Sequence, residues 1–287
     1  MLVNLETILK PAQKNHFAVP AFNTSSNMIL AGAIEESIAQ NAPVIIAIHP
    51  DELSFVRDSF VKAVIDEANK APIPVCIHLD HGGSFEQAMH AIAVGYTSVM
   101  IDASRLPLEE NIAVTQKVVE AARAANVSVE AELGTIGTMD TDSKGEALEE
   151  IIYTDPNTAK TFVDATKVDA LAVAIGTRHG LYPKSIQPKL RIDLLDKIAT
   201  VVSTPLVLHG GSDNPDNEIA ESVRHGVCKI NISSDIKNPF YQQCRKVLKD
   251  ETLREPNAIY PSCIEVLREV VRKKITLFNS VDAARYY

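Results

Sequence analysis

An acidic residue and a histidine lie side by side where an apolar segment of the sequence ends. Asp80 and His81 follow the run Val75–Leu79 and precede two glycines. Burying a carboxylate beside an imidazole costs free energy unless a charged group lies between them, and a divalent metal ion would be such a group. In the alternative interpretation, Asp80 caps the next turn and His81 is half exposed. Taken alone, this segment favours the structural interpretation.

The composition is that of a soluble globular protein without affinity for polyanions. The chain has 287 residues, 46% of them hydrophobic, and a formal net charge of −9 with neutral histidines. It is long enough for one large or two small domains. Because no basic run is present, nucleic acid and anionic membranes are poor partners. No apolar run reaches membrane-spanning length. The four cysteines show no paired spacing and the first residues no signal pattern, so we expect a cytoplasmic protein.

Apolar segments of strand length alternate with helical segments along the chain. The predicted strands are almost continuously apolar, as parallel strands buried on both faces should be. They cover residues 17–23, 42–48, 74–80, 97–102, 127–133, 168–176, 205–210 and 227–233. The predicted helices cover residues 4–15, 25–40, 54–70, 84–94, 108–125, 156–166, 191–201, 215–225, 235–249 and 261–275. Eight such units predict an α/β fold of the (β/α)₈ TIM barrel type, as a single domain over residues 1–287 with a C-terminal helical extension. An open doubly wound sheet is less favoured, because the turn after the first strand lacks the G-x-G-x-x-G pattern.

The barrel changes the interpretation of the polar residues at the strand ends. In this fold the loops that follow the strands build the active site. His81, His179 and His209 lie at or just after the ends of the third, sixth and seventh predicted strands. Three imidazoles with one open position form the ligand set of a catalytic zinc ion. Of the other histidines, we expect His49 to be able to face the pocket and His78 to be packed inside the protein.

Two short segments have the residue types of a phosphate-binding site. HGGSD (209–213) follows the seventh predicted strand and NISSD (231–235) follows the eighth, each ahead of a helix. Free backbone N–H groups at a helix N-terminus favour an anion, and the loops after strands seven and eight are the usual phosphate site of these barrels. In the alternative interpretation, the serines and aspartates are ordinary N-caps. Gly180 and Lys184 lie close to His179 and could contribute to the same site.

Seven sequence blocks in this order resemble the class II, zinc-dependent ketose-bisphosphate aldolases. The blocks are FAVPAFN, HLDHG, SVMIDAS, VEAELG, AVAIGTRHGLY, PLVLHGGSD and KINISSD, and the resemblance runs from about residue 2 to residue 280. It is strongest to the tagatose-bisphosphate and short fructose-bisphosphate aldolases. The resemblance implies a Zn²⁺ ion held by His81, His179 and His209. It also implies that Asp80 is the acid/base on the C4 hydroxyl of the substrate.

The resemblance extends to further site residues and to partners. Asp102 and Glu132 match residues that hold the zinc in an alternative position, and Asn23 would contact the substrate. The residues that would hold the phosphate of dihydroxyacetone phosphate are Gly180, Gly210, Gly211, Ser212, Asn231, Ile232, Ser233 and Ser234. The family is dimeric or tetrameric and often uses a monovalent cation (Na⁺ or K⁺). Some tagatose-specific members work with a chaperone-like second subunit.

The sequence departs from the family pattern around the expected aldehyde half of the substrate. The family loop after the fifth strand usually reads G-G-x-E-D, in which the glutamate handles the proton at C3. Here Asp140 stands in that place, with Glu146 as a fallback. The family's D-P-R near the C-terminus supplies an arginine to the distal phosphate, but this chain has EPN (255–257).

Two further differences concern the same half of the substrate. Arg178 stands where the family usually has a small residue, and HPDEL (49–53) is unlike its relatives. Arg178 and Arg254 are the candidates to replace the missing arginine. We therefore hypothesise that the donor is dihydroxyacetone phosphate and that the aldehyde need not be a triose phosphate. The sequence leaves open whether the substrate is fructose or tagatose 1,6-bisphosphate, which would yield glyceraldehyde 3-phosphate, or a ketose 1-phosphate with an unphosphorylated or acidic aldehyde half.

Three other mechanisms or roles fit the sequence less well. Lys229, inside the eighth predicted strand, could form a Schiff base, but that chemistry would leave three strand-end histidines without a role. A metal-free, phosphate-binding barrel isomerase would need no histidine cluster. A non-catalytic partner subunit of an aldolase could lose its ligands freely, yet Asp80 and the three histidines are present.

Overall fold

Eight parallel strands form a closed barrel in the computed structural model, which describes residues 1–138, 151–183 and 188–287. The barrel strands are β1 (Val19–Asn23), β2 (Val44–Ile48), β3 (Val75–Gly82), β4 (Ser98–Ile101), β5 (Ser128–Leu133), β7 (Ala170–Val173), β9 (Leu206–Leu208) and β10 (Val227–Ile232). β1 pairs with both β2 and β10, which closes the barrel. Two short strands, β6 (Gly137–Thr138) and β8 (Arg178–His179), pair with each other outside it. The predicted (β/α)₈ barrel is confirmed.

Helices connect the strands and cover the outside of the barrel. They are α1 (Leu5–Asn15), α2 (Asn27–Ala39), α3 (Pro50–Val56), α4 (Asp58–Lys70), α5 (Phe85–Val94), α6 (Leu108–Ala124), α7 (Pro156–Thr166), α8 (Ile192–Val201), α9 (Asp216–Arg224), α10 (Ser234–Val247), α11 (Pro256–Ile259) and α12 (Pro261–Leu277), followed by a 3₁₀ turn over Ala283–Tyr286. Serine side chains cap two of them, Ser26 at α2 and Ser84 at α5, because a serine oxygen accepts from an otherwise unpaired N–H group of the first turn. Within the described ranges, none of these helices could span a bilayer.

One predicted helix is two helices in the structure. The segment 54–70 was expected to be continuous, but α3 begins earlier, at Pro50, and ends at Val56. Arg57 separates α3 from α4 with a φ of 66° and a ψ of 168°, a backbone conformation outside the helical region that interrupts the helix. The start of α3 is fixed by a reciprocal pair of hydrogen bonds. The His49 Nδ1 atom accepts from the Asp51 N–H, and the His49 N–H donates to Glu52 Oε2.

The apolar core has two layers separated by the strands. The outer layer lies between the strands and the helices and includes Phe22. The inner layer fills the barrel at the amino ends of the strands, where Leu5 and Ile8 of α1 pack against Val19 and Ile45. Alternate residues of each strand point to opposite faces, so residues such as Val19 and Phe22 belong to different layers. With its amino end filled by α1, the barrel leaves its carboxyl end for polar residues.

Candidate active site

A bulge at the end of β3 directs Asp80 and His81 into one cavity. Between Leu79 and Gly82, β3 contains one more residue than the paired segment of β4, and His81 has a φ of 51°. Consecutive side chains of a regular strand point to opposite faces, but an extra residue breaks this alternation. Asp80 and His81 therefore both line a cavity of about 580 Å³ at the carboxyl end of the barrel.

The cavity brings together most of the residues predicted from the sequence. Those that line it are Asn23, Asp80, His81, Asp102, Glu132, His179, Gly180, His209, Gly210, Ser212, Asn231, Ser233 and Ser234. His49 lines it too, which confirms the expectation that it could face the pocket. Most of these residues belong to strand ends or to the loops that follow them, so the barrel joins positions that are far apart in the chain.

Three histidines from separate parts of the chain meet in this cavity. His81 lies at the end of β3, His179 in β8 and His209 directly after β9. One ring nitrogen of each lies within 4.8 Å of the others, and His81 Nε2 is 2.9 Å from His209 Nδ1. The ring centroids of His81 and His179 are 4.9 Å apart. Their nitrogens are therefore close enough to bind a single ion.

The other ring nitrogens of two of these histidines are held by carboxylates. His81 Nδ1 is 2.8 Å from Asp102 Oδ2, and His209 Nε2 is 2.8 Å from Glu130 Oε1. Metal-binding histidines usually donate their second ring N–H in this way, which fixes the tautomer and the orientation of the ring. Here it leaves His81 Nε2 and His209 Nδ1 facing each other, where both could bind a metal ion once His81 has lost its second proton.

A second group, of one histidine and two carboxylates, overlaps the first. His81, Asp102 and Glu132 also offer ligand atoms within 4.8 Å of one another. Glu132 is buried, and its Oε2 atom has no hydrogen-bond partner in the described part of the chain. Burial, with the nearby Asp102 carboxylate, raises the pKa of Glu132 to about 8. A cation would satisfy this buried oxygen, so the residues present fit a divalent metal ion.

The pKa values of His179 and His81 are shifted in opposite directions. Burial and the neighbouring His81 lower the pKa of His179 to about 3, so this imidazole is neutral and keeps a lone pair. Burial opposes the charge on His81 as well, but the Asp80 and Asp102 carboxylates outweigh it and raise the pKa of His81 to about 9. A metal ion bound to His81 would therefore displace a proton.

Behind His209, an ion pair fills the middle of the barrel. Lys229 Nζ is 2.9 Å and 2.8 Å from the two carboxylate oxygens of Glu130, and both side chains are fully buried. His78, which is buried as predicted, bonds to Ser98 Oγ through Nδ1 at 2.8 Å. Lys229 does not line the cavity. Its ammonium group is bound to Glu130, which does not suit a Schiff-base nucleophile.

Asp80 is held in place by two amide groups. Asn23 Nδ2 donates to its Oδ2 atom at 2.7 Å, and Asn231 Nδ2 donates to its Oδ1 atom at 2.8 Å. Asp80 Oδ1 is also 3.9 Å from His81 Nε2 and 3.8 Å from His209 Nδ1. Burial alone would raise its pKa, but the two imidazoles hold the pKa of Asp80 far below its usual range. It is an ionised carboxylate beside the candidate metal ligands.

The loops after β9 and β10 form a joined structure. The Ser212 hydroxyl oxygen accepts from the backbone N–H groups of Ser233 and Asp235, at 3.2 and 3.3 Å. Asn214 Nδ2 donates to the carbonyl oxygen of Gly210 at 2.7 Å. Gly210 has a φ of 63°, and a Cβ atom there would lie 2.6 Å from the Arg178 carbonyl oxygen. Only a glycine fits this approach without displacing the backbone.

The family model for class II fructose-bisphosphate aldolases matches residues 3–283. The chain belongs to the class II fructose-bisphosphate aldolase family. It is 37% identical over 290 residues to a fructose-bisphosphate aldolase of Staphylococcus aureus (strain Mu50), with 99% of each chain covered. A fructose-bisphosphate aldolase of Staphylococcus epidermidis (strain ATCC 12228) is 36% identical over the same length. The chain is thus an aldolase, a carbon–carbon lyase of a family that acts on sugar phosphates.

Two solved structures are similar to this chain. The crystal structure of the YdjI aldolase from Escherichia coli K12 matches with a TM-score of 0.85 and 32% identity, covering 98% of both chains. The fructose-bisphosphate aldolase of Campylobacter jejuni matches with a TM-score of 0.81, covering 98% of this chain and 96% of that one. At 22% identity, the second likeness supports the fold alone.

Some residues expected from the aldolase resemblance are not found in the cavity wall. Gly211 and Ile232 are buried beside it, and Arg178 and Arg254 are not among the residues that line it. Their roles in binding substrate remain predictions. Asp140 and Lys184 lie outside the described residues.

The cavity wall also contains residues that the sequence analysis did not select. They are Glu52, Ser104, Arg105, Thr135, Ile136 and Lys237. Ser104 and Arg105 follow β4, and Thr135 and Ile136 follow β5, so their positions after predicted strands could have indicated them. Glu52 and Lys237 lie in the first turns of α3 and α10, so their positions in the sequence do not mark them as strand-end residues.

Proposed function

We propose that the chain catalyses the reversible, zinc-dependent cleavage of a phosphorylated ketose to dihydroxyacetone phosphate and an aldehyde. The observation that carries this proposal is the meeting of three imidazoles, from β3, β8 and the loop after β9, with the Asp80 carboxylate beside them. His81, His179 and His209 would hold the ion, with Asp102 and Glu132 offering a second position for it. A bound Zn²⁺ ion supplies Lewis-acid stabilisation of the negative charge that develops on the ketose oxygens.

Asp80 is the residue that moves the proton of the C4 hydroxyl. In cleavage it accepts this proton, and in condensation it returns it, which is general acid/base catalysis by a positioned carboxylate. Its ionised state makes it ready to accept the proton. Asn23 and Asn231 hold the two carboxylate oxygens in place, so little reorganisation is needed when the substrate binds.

The loops after β9 and β10 bind the phosphate of dihydroxyacetone phosphate. Gly210, Gly211 and Ser212 come from the first loop and residues 231–234 from the second, and Gly180 and Lys184 are further candidates to bind the phosphate. Backbone N–H groups at the start of α10 and a serine hydroxyl are suitable donors to a phosphate. Asp140 would take the role of the family's loop glutamate at the C3 proton.

The second candidate substrate class is a ketose 1-phosphate. Its support is that Arg178 and Arg254, the candidates to replace the family's arginine at the distal phosphate, are not among the residues that line the cavity. We further propose a homodimer or homotetramer, a monovalent cation and a cytoplasmic location, each on the family resemblance.

A cleavage assay with and without a metal chelator tests the reaction. The panel contains fructose and tagatose 1,6-bisphosphates and the corresponding ketose 1-phosphates, and dihydroxyacetone phosphate is the product measured. We expect the chelator to abolish cleavage and added Zn²⁺ to restore it. Full activity in the chelated enzyme would contradict the proposal, and better turnover of the bisphosphates than of every monophosphate would remove the second candidate.

A substitution of Asp80 tests the acid/base role. We expect Asp80→Asn to lower kcat by about 10²- to 10⁴-fold, with zinc content unchanged. The matched control is Asp66→Asn, because Asp66 is an exposed residue of α4 that lies outside the cavity. Normal turnover in the Asp80 variant would show that another group moves the proton.

A further inference from the structure

Lys237 is a cationic residue of the cavity wall that the reaction proposed above does not use. It lies in the first turn of α10, four residues after Ser233. Its ammonium nitrogen is 3.0 Å from Ser233 Oγ and 2.5 Å from Glu52 Oε1. The side chain is 26% exposed, so the cation is partly shielded from water yet open to the cavity.

The ammonium group lies beside the loops expected to bind phosphate. Ser233, which accepts from Lys237, also donates its backbone N–H to Ser212 Oγ. Lys237 therefore contacts the loop after β10 directly, and Ser233 connects it to the loop after β9. Because residues four apart lie on the same face of a helix, Lys237 extends the anion-binding side of the α10 N-terminus by one turn.

Glu52 holds the side chain of Lys237 in place from the opposite wall. One carboxylate oxygen of Glu52 accepts from the backbone N–H of His49 at 3.0 Å, and the other contacts Lys237. This ties α10 to the start of α3 and reduces the rotamer freedom that a lysine would lose on binding a ligand. An ammonium group has three N–H donors. Ser233 and Glu52 take two of them, which leaves one for a ligand.

The nearby acidic residue does not compete for this cation. Asp235, also in the first turn of α10, is paired with Lys274 of α12 at 2.6 Å. Among the described residues, Glu52 is therefore the carboxylate with which Lys237 forms an ion pair.

We propose that Lys237 binds the phosphate group of dihydroxyacetone phosphate and that Glu52 positions it. This inference rests on the proposed function and adds a charged donor from α10 to the phosphate site. A charge-assisted hydrogen bond is about twice as strong as a neutral one. Loss of the ammonium should therefore weaken phosphate binding and raise KM more than it lowers kcat.

Calorimetric titration of inorganic phosphate into the purified, zinc-loaded enzyme tests this role, alongside KM and kcat for the ketose phosphate cleaved best. We expect Lys237→Met to weaken phosphate binding and raise KM, each by about 10- to 100-fold. Lys237→Arg should recover most of the affinity, because a guanidinium group also binds phosphate. Lys246→Met is the matched control: it removes a cation from an exposed position of the same helix and should match the wild type.

Two results separate a failure of this inference from a failure of the proposed function. If the wild type cleaves a ketose phosphate and Lys237→Met matches it in phosphate affinity and KM, the Lys237 inference is wrong. A lower melting temperature of that variant with unchanged phosphate affinity would also overturn it, because Lys237 would then only tie α10 to α3. If the wild type cleaves no ketose phosphate, the proposed function fails, and with it the identity of the ligand.

Discussion

Lys229 and Glu130 form an ion pair inside the barrel, where water does not reach it. The ammonium nitrogen is 2.9 and 2.8 Å from the two carboxylate oxygens, and both side chains are fully buried. Lys229→Met keeps an unbranched side chain of similar length but leaves the Glu130 carboxylate without its cation. We expect this substitution to lower the free energy of unfolding substantially.

The expected loss follows from distance and burial. At 2.8 Å and an effective dielectric constant of about 20, Coulomb's law gives a gross attraction of about 6 kcal/mol. Desolvation of the two ions offsets part of this in the native protein. Removing one partner of a buried pair costs about 3–5 kcal/mol, because the other charge stays buried. We therefore expect Lys229→Met to lose about 3–5 kcal/mol at neutral pH.

The difference between the two proteins should depend on pH. Burial alone would raise the pKa of Glu130, but Lys229 and His78 hold it well below its usual range. A carboxyl group whose pKa is lower in the native state than in the unfolded state stabilises the native state. This stabilisation is present above the pKa of the unfolded state, about 4.5, and is lost as the pH falls. The difference in the free energy of unfolding between the wild type and Lys229→Met should therefore become smaller in acid.

Urea denaturation followed by circular dichroism measures the change, with a chelator present so that metal binding does not contribute. The matched control is Lys160→Met. Lys160 pairs with Asp164 at 2.7 Å, but their side chains are 56% and 58% exposed, so we expect a loss of about 0–1 kcal/mol. Equal losses for the two variants would refute the reasoning, because burial would then not set the energy of the pair.

Two further predictions concern stability in acid and the phosphate loop. Glu36 is buried in α2, and hydrogen bonds from Arg272 and Arg268 outweigh its burial and hold its pKa below the usual value. Its contribution to stability is present at neutral pH and lost in acid. Glu36→Gln should therefore lower the free energy of unfolding by about 1–3 kcal/mol at neutral pH and by less in acid. Urea titrations at both pH values would measure this difference. Gly210→Ala should raise KM by on the order of tenfold in the cleavage assay, because its Cβ would displace the loop from the Arg178 carbonyl; an unchanged KM would contradict this.

The barrel was predictable because it depends on a pattern that repeats along the chain. Each predicted strand overlaps an observed one, since buried parallel strands need continuous apolar residues. The sixth predicted strand shows that burial alone does not define where a strand ends. It was predicted to extend to residue 176, but β7 ends at Val173. Ala174 is fully buried yet exchanges its backbone hydrogen bonds with Thr154 instead of a strand. An apolar residue indicates the core, not the identity of its backbone partner.

Other local features carried no signal in the sequence. The break between α3 and α4 occurs at Arg57, whose φ of 66° and ψ of 168° form a backbone conformation that glycine would usually mark. The strands β6 and β8 have two residues each, too few to show a period. The pairing of β6 with β8 is a tertiary contact that a local pattern does not contain.

The candidate site was predictable where its residues lie at strand ends and not where they lie elsewhere. Asp80, His81 and His209 were selected by that position alone. Lys237 and Glu52 reach the cavity from helices, so a rule about strand ends passes over them. Glu130 and Lys229 did have a signal, because each is a charged residue within an otherwise apolar strand, but the sequence did not show that they face each other.

The bulge in β3 restricts what can occupy position 81. With a φ of 51°, the backbone there suits glycine, asparagine, aspartate and histidine better than a β-branched side chain. Exchanging His81 for a different metal-binding residue would thus be limited by conformation as well as by chemistry. A designer who grafted the Asp80–His81 pair onto another barrel would have to copy the inserted residue too, since an unbroken strand would turn one of the two side chains towards the surrounding helices.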